Sequence, residues 1–251
     1  MPFDPESPIE IIAHRGFSAR APENTLSAMD AAIAAGATSV EFDLQTAACG
    51  TPVVFHDAML GRTTNGVGPL GRRPLGHLKA LDAGSWFGPE FAGETIPSQE
   101  ETLAHVKGRV ERVYQEVKGY REMEDLDRMA EITRSAGMAK ASVFISLDWV
   151  ILGRLRQMAP EIPRAYIVET DARLPGALEK AQAEEGSSVA VAIGVALANP
   201  GLIRAGLEAG IEVATWTVDE PSEAAQGREI GICRFTTNEV EKLIAWRDGL
   251  T

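Results

Sequence analysis

The sequence predicts a parallel β/α barrel of eight strands. Eight short β-rich runs recur along the chain with helical patterns between most of them, which is the rhythm of parallel β/α units. The length of 251 residues suits one barrel of this kind. Ionisable residues cluster where the apolar runs end, and the carboxyl ends of parallel strands are where such folds keep their functional groups.

The expected strands are 9–14, 38–43, 113–118, 141–147, 164–169, 188–194, 211–218 and 232–237. Residues 25–35 place Leu26, Met29 and Ile33 on one helical face, with Asn24 as the expected N-cap and Gly36 as the stop. Helices are likewise expected over 124–136, 148–158, 172–185, 200–209 and 239–248, three of them closed by Gly137, Gly186 and Gly210. His105 falls on a further helix.

One β-rich run is left over, Pro52 to His56. Only eight residues separate Asp43 from Pro52, too few for an ordinary parallel crossover. An antiparallel hairpin is expected instead, with its turn within 46–51 around Ala48-Cys49-Gly50 and His56 roughly opposite Glu41. Residues 58–98 then break the rhythm. They are rich in glycine (Gly61, Gly66, Gly68, Gly71, Gly76, Gly84 and Gly88) and weakly periodic. So long an irregular stretch reads as a small inserted module. It is expected at the active-site face, within a single domain spanning 1–251.

Charge narrows the partners. Lys and Arg number 24 against 36 Asp and Glu, a net charge of −12. Nucleic acid and anionic membrane surfaces demand basic patches, and Arg72-Arg73 is the only dense basic pair. No apolar run approaches the ~18 residues of a membrane span. The amino terminus has no signal-peptide pattern, and two cysteines, Cys49 and Cys233, give neither a disulfide framework nor a zinc pattern. A cytoplasmic location is the expectation.

The strand ends carry the chemistry. Glu41 and Asp43 are two residues apart on one strand, so both face the same side. Two inward carboxylates without a counter-charge repel and are costly to desolvate. They face a metal, pair with arginine, or lie on the surface. Glu116 ends the next β/α unit and offers a third oxygen. All-oxygen ligation favours Mg²⁺ or Ca²⁺ over zinc. His14 and His56 end strands beside these carboxylates, and imidazole exchanges protons near neutrality. His77 and His105 read as structural or solvent-facing. Arg15 and Lys118 could grip phosphate oxygens or pair with the same carboxylates. Trp216 either walls a substrate pocket or plugs the barrel. No dinucleotide fingerprint, P-loop or nucleophile elbow is present. Glycoside hydrolysis would use two carboxylates, yet would leave two histidines and two cations unexplained.

Taken in order, His14-Arg15-Gly16, Pro22-Glu23-Asn24-Thr25, Glu41-x-Asp43, the run from Pro52 to Asp57, Arg62-Thr63-Thr64, the run from Leu81 to Phe87, Ile96-Pro97-Ser98, Glu116-x-Lys118 and Trp216-Thr217-Val218 resemble the glycerophosphodiester phosphodiesterases. The match is dense over 11–120 and thinner afterwards. The resemblance implies a distorted TIM (β/α)8 barrel with a small insertion. It implies one divalent cation at Glu41, Asp43 and Glu116, and His14 and His56 as the acid/base pair. The implied reaction hydrolyses a glycerophosphodiester to sn-glycerol 3-phosphate and an alcohol. Three departures stand out: Cys49-Gly50 replaces the usual Asp-Gly, Gln99 replaces leucine, and Cys233 to Asn238 departs from Gly-Ile-Ile-Thr-Asp.

Two rivals accompany this reading. One is a related barrel phosphodiesterase acting on lysophospholipids, which needs an apolar channel. Leu60, Leu70, Leu75, Leu78 and Leu81 of the insertion could line one, or could pack a small core of their own. The other is a non-catalytic barrel binding a phosphate metabolite, for which an intact His14/His56 pair has no use. Either way the partner is a small molecule, and a homo-oligomer is compatible with every reading.

Overall fold

The computed structural model describes residues 7–250. The acidic, proline-rich start that was read for a leader falls largely in 1–6, outside the described residues. The chain opens with β1 (Glu10–Ala13), α1 (Leu26–Ala34), β2 (Ser39–Thr46) and β3 (Pro52–Val54). Short 3₁₀ turns and α2 (Leu75–Lys79) follow, then α3 (Gln99–Val106), β4 (Arg112–Val117), α4 (Met123–Ser135), β5 (Ser142–Ser146), α5 (Trp149–Met158), β6 (Arg164–Val168) and α6 (Leu174–Ala183). The last third holds β7 (Ser187–Ala192), α7 (Ile193–Ala198), α8 (Pro200–Glu208), β8 (Val213–Trp216), α9 (Pro221–Glu229), β9 (Arg234–Thr237) and α10 (Val240–Asp248).

Every strand except β3 pairs in parallel with its neighbours, in the order β1-β9-β8-β7-β6-β5-β4-β2. Pairing of β1 with β2 (Ile12 beside Ser39) closes the ring, giving the eight-stranded barrel the sequence predicts. Alternation decides what each strand offers. Val40, Phe42 and Leu44 of β2 and Val113 and Val117 of β4 face outward into the helix-packed core. Ile12, Tyr114, Ile145, Ile167, Ala190 and Ala214 fill the barrel interior. At the amino end Glu10 gathers Ser39, Tyr114 and Arg234 by hydrogen bonds, which leaves the carboxyl end as the mouth.

β3 pairs with β2 antiparallel, Leu44 with Val54 and Thr46 with Pro52, so the spare run is a hairpin. The turn occupies 47–51, with Gly50 at a φ of 79° that favours glycine. The bond from Phe55 N to Asp43 O carries the register one residue further. His56 therefore comes level with Phe42, one residue off the expected partner Glu41. The leucines of the insertion pack on one another: Leu60, Leu70, Leu78 and Leu81 are buried with Val53 and Phe55, and Leu75 lies against them. Its exit is a capping box in which Ser98 Oγ accepts from Glu101 N and Glu101 accepts from Ser98 N, the local reason for the string Ile96-Pro97-Ser98.

Four helical expectations need correction. The cap of α1 is Thr25, whose hydroxyl accepts from Ala28 N, not Asn24. The expected strand 188–194 stops at Ala192 and turns into α7. That helix is apolar on every side, so its sequence carries no helical stripe. α9 was missed because it buries only Ala224 and Gly227. The span 172–185 is a 3₁₀ turn at Asp171–Arg173 followed by the shorter α6. Among the described residues, no helix is long and apolar enough to cross a membrane.

Candidate active site

The end of β1 turns sharply. Arg15 and Gly16 have φ of 58° and 77°, and a Cβ on Gly16 would stand 2.6 Å from the Ala28 carbonyl carbon. Left-handed backbone at arginine is unfavourable without local support. Two hydrogen bonds supply it here: Arg15 N donates to Glu41 Oε2 at 2.9 Å, and Asn24 N donates to Arg15 O at 3.0 Å. Asn24 is itself at a φ of 62°. Freed from capping, its side chain donates to Asp43 Oδ2 at 2.7 Å and accepts from Asp43 N at 3.1 Å.

Glu41 and Asp43 share the inner face of β2, and strand register sets Asp43 beside Glu116 of β4. Oxygens of all three lie within 4.8 Å of one another. Their exposures are 2%, 0% and 7%. Such crowding resists ionisation. Burial, then the charges of Asp43 and Glu116, hold Glu41 well above the usual carboxylate range. Burial and Asp43 push Glu116 up to about 7. Glu41 Oε1 and Asp43 Oδ1 are buried and accept no hydrogen bond. Lone pairs left this way call for a cation. Three hard carboxylates with two orphaned oxygens fit a divalent ion such as Mg²⁺ or Ca²⁺.

Two fixed cations border the triad. Lys118 Nζ lies 2.7 Å from Glu116 Oε1 and 3.5 Å from Asp43 Oδ1. Arg15 Nε lies 3.2 Å from Asp43 Oδ2, and its Nη1 donates to Glu23 at 2.9 Å. Burial works against both charges, but the surrounding carboxylates outweigh it and raise both pKa values. The arginine and lysine therefore make the ion pairs the sequence allowed and also face the cavity.

Each histidine is anchored through Nδ1. His56 Nδ1 is 2.5 Å from Asp57 Oδ1. Asp57 in turn accepts from Arg62 Nε at 2.6 Å, and Arg62 forks onto Glu23 at 2.7 and 2.8 Å. Because Glu23 also holds Arg15, an ion-pair chain runs from His56 to Asp43 and ties the insertion to the mouth. Hydrogen bonding to Arg62 holds the Asp57 carboxyl down at about 2. His14 Nδ1 is 2.8 Å from Asn238 Oδ1, and its Nε2 is 4.0 Å from Glu41 Oε2. Burial, then Arg15, lowers the His14 pKa to about 4, so it is neutral at physiological pH.

A cavity of about 270 Å³ opens here. One side is polar, with His14, Arg15, Glu41, His56, Glu116 and Lys118. The other side is apolar, with Ile145, Leu147, Ile167, Ala190, Ala214 and Trp216. Trp216 Nε1 donates to Ala190 O at 3.0 Å, which fixes the indole as a wall. With a divalent cation on the triad, an anionic group would fit the first side beside Arg15 and Lys118, and an uncharged one fits the second.

Residues 14–242 match the family described as Glycerophosphoryl diester phosphodiesterase. The chain belongs to that family. A glycerophosphodiester phosphodiesterase of Caldanaerobacter subterraneus is 29% identical over 93% of this chain and 96% of its own. The crystal structure of a glycerophosphodiester phosphodiesterase from Agrobacterium tumefaciens superposes with a TM-score of 0.81 at 29% identity, covering 94% of this chain and 99% of that one. An Oleispira antarctica phosphodiesterase, solved in complex with the product sn-glycerol-3-phosphate, superposes at 0.85 with 27% identity, covering 95% and 96%.

In this phosphodiesterase barrel seven of the eight site residues expected from sequence line the cavity, and Asp43 lies buried just behind it. The expectation missed the residues that hold them: Glu23, Asn24, Asp57, Arg62, Asp219 and Asn238. The first four stand inside the strings that carry the family resemblance, and that was their signal. Asn238 lies in the segment that departs from the family pattern, and Asp219 follows Trp216-Thr217-Val218.

Proposed function

We propose that this phosphodiesterase hydrolyses glycerophosphodiesters to sn-glycerol 3-phosphate and an alcohol, using one divalent cation, Mg²⁺ or Ca²⁺, held by Glu41, Asp43 and Glu116. The observation that carries this is a buried carboxylate triad with two orphaned oxygens beside a cavity that also holds two histidines and two cations. When bound, the ion polarises a phosphoryl oxygen and offsets developing negative charge. Arg15 and Lys118 hold the non-bridging oxygens. Of His14 and His56, one takes the proton of the attacking hydroxyl and the other gives one to the leaving alcohol. That hydroxyl is either water or the neighbouring glycerol hydroxyl, the latter passing through a cyclic phosphate. Trp216 walls the uncharged part of the substrate. The reading treats the chain as one cytoplasmic domain with residues 58–98 as an inserted subdomain.

The apolar side of the cavity favours a second reading, in which the substrate is a lysophospholipid. The test is release of glycerol 3-phosphate from glycerophosphocholine with and without chelator, beside choline release from lysophosphatidylcholine. Metal-dependent turnover of the first supports the main reading and preference for the second supports the rival. Binding of either without turnover reduces the chain to a binding barrel.

A further inference from the structure

His14 Nδ1 and Asn238 Oδ1 are 2.8 Å apart, and that contact needs one proton between them. The far end of Asn238 decides where it comes from. Asn238 Nδ2 lies 2.9 Å from Asp219 Oδ2. Asp219 also accepts from Asn238 N at 2.8 Å and from the Thr237 hydroxyl at 3.1 Å. An ionised carboxylate only accepts. Turning the carboxamide over would set two oxygens 2.9 Å apart and forfeit the bond. The Ser18 hydroxyl donates to the same Oδ1 at 2.8 Å, which holds the amide oxygen toward the ring. His14 must then supply the proton from Nδ1, and in the neutral ring its Nε2 keeps a lone pair.

We propose that Asn238, oriented by Asp219, is a positioning residue that keeps His14 in the Nδ1-protonated tautomer, so that Nε2 is the proton acceptor of the hydrolysis. This rests on the reading of His14 and His56 as the acid/base pair. The proton balance follows. As the new P–O bond forms, the attacking hydroxyl gives its proton to His14 Nε2, and the ring becomes an imidazolium that keeps its bond to Asn238. As the P–O bond to the alcohol breaks, that oxygen takes a proton from His56, whose Nδ1 faces the Asp57 carboxylate. Exchange with water resets both rings. The other tautomer would spend the His14 lone pair on Nδ1 and present no acceptor at Nε2.

The test reads the tautomer directly, by long-range ¹H–¹⁵N NMR of histidine-labelled full-length protein near neutral pH, with His14→Ala assigning the signals. Wild type should show Nδ1 protonated and Nε2 bare. Asn238→Leu, which removes the acceptor, should mix the tautomers. It should lower kcat about 10-fold or more, with KM changing less than about 3-fold, inside the span of general acid–base effects. Exchanging the pair, Asn238→Asp with Asp219→Asn, restores an acceptor for His14 Nδ1 and a donor behind it, and should recover both readouts. A wild-type ring protonated on Nε2 overturns the proposal, and so does an Asn238→Leu enzyme with undiminished kcat. If Asn238→Leu does not fold, the wild-type spectrum and the exchanged pair still decide. Near-normal turnover by His14→Ala, with the expected wild-type tautomer, places the failure in the acid/base reading instead.

Discussion

The ammonium of Lys118 stands 2.7 Å from Glu116 Oε1, two residues further along the same strand face. A fixed positive charge thus sits at the edge of a triad already crowded with negative charge, and it does not suffice. Glu116 remains raised to about 7, and two oxygens of the triad still accept no hydrogen bond.

A divalent ion should therefore stabilise the protein as well as activate it. Chelation is expected to abolish turnover, and Mg²⁺ or Ca²⁺ to restore it. At about 100 times the dissociation constant the ion adds about 2.7 kcal/mol to the folded state, or about 5–10 °C in Tm for a chain of this size. Differential scanning fluorimetry of Glu41→Gln should show that shift shrink sharply. Full activity in excess chelator would falsify the metal site.

Stability of the metal-free protein should depend on pH through Glu116. Its folded pKa lies above the unfolded value, so the folded state holds the extra proton between about 4.5 and 7. That contribution is complete below the unfolded pKa and is lost as pH rises through about 7. His14, with its folded pKa lowered to about 4, acts in the opposite sense between about 4 and 6.5. Comparison with Glu116→Gln cancels His14, which is common to both, and reports Glu116 together with Glu41, which its charge helps to raise. In Tm series without metal, Glu116→Gln should gain on wild type as pH rises from 5 to 7.5. A constant difference would mean that Glu116 adds no proton to the folded triad over that range.

His14→Ala and His56→Ala should each lose roughly 10²-fold or more in kcat, the scale of general acid–base catalysis. Both should still fold, since each side chain sits at the cavity mouth with 16% and 30% exposure. Circular dichroism beside steady-state kinetics checks this. A variant that keeps near-normal kcat makes its histidine structural.

Arg15→Lys keeps the charge and should still be costly. The guanidinium reaches Asp43 through Nε and Glu23 through Nη1, and a single ammonium cannot span both or meet phosphate as a fork. A fall of about 10-fold or more in kcat/KM is expected, by analogy with loss of one or two charge-assisted hydrogen bonds. An unchanged value would confine Arg15 to its ion pairs.

Gln99 should matter for stability and not for turnover. Its Nε2 donates to Gln115 Oε1 at 2.7 Å and to Met129 O at 3.0 Å, fully buried behind β4. Gln99→Leu strands the Gln115 Oε1 acceptor, while Met129 O keeps its bond from the Thr133 hydroxyl. It also removes the unpartnered Gln99 Oε1, so the cost should be about 1 kcal/mol. Adding Gln115→Met should cost more, since Gln115 Nε2 also donates to Ser142 Oγ at 3.0 Å and Thr133 Oγ1 at 3.2 Å. Denaturant melts of the single and double variants measure this, and a stabilised single variant would contradict it.

Much of this protein was legible in one dimension. Alternation along Glu41-Phe42-Asp43 records which residues face the barrel interior and which face the helices, because strand period is fixed at two. The short span from Asp43 to Pro52 dictated the hairpin, because eight residues cannot return a parallel strand. The insertion's leucines and the strand-end histidines, cations and carboxylates could be read for the same reason: each is a local pattern. Contacts made by closing the ring could not be read. His14 meets Asn238 across 224 residues of chain, and only the pairing of β1 with β9 brings them together. Asn24 looks like a cap by position, yet the turn after β1 sends it to Asp43 and passes capping to Thr25. α7 and α9 carry no amphipathic stripe, so periodicity does not mark them as helices. The sequence determined the chemical groups and the strand face each occupies. Tertiary structure decided which partner holds each group, because hydrogen bonds between strand ends depend on barrel register, and local periodicity does not encode that register.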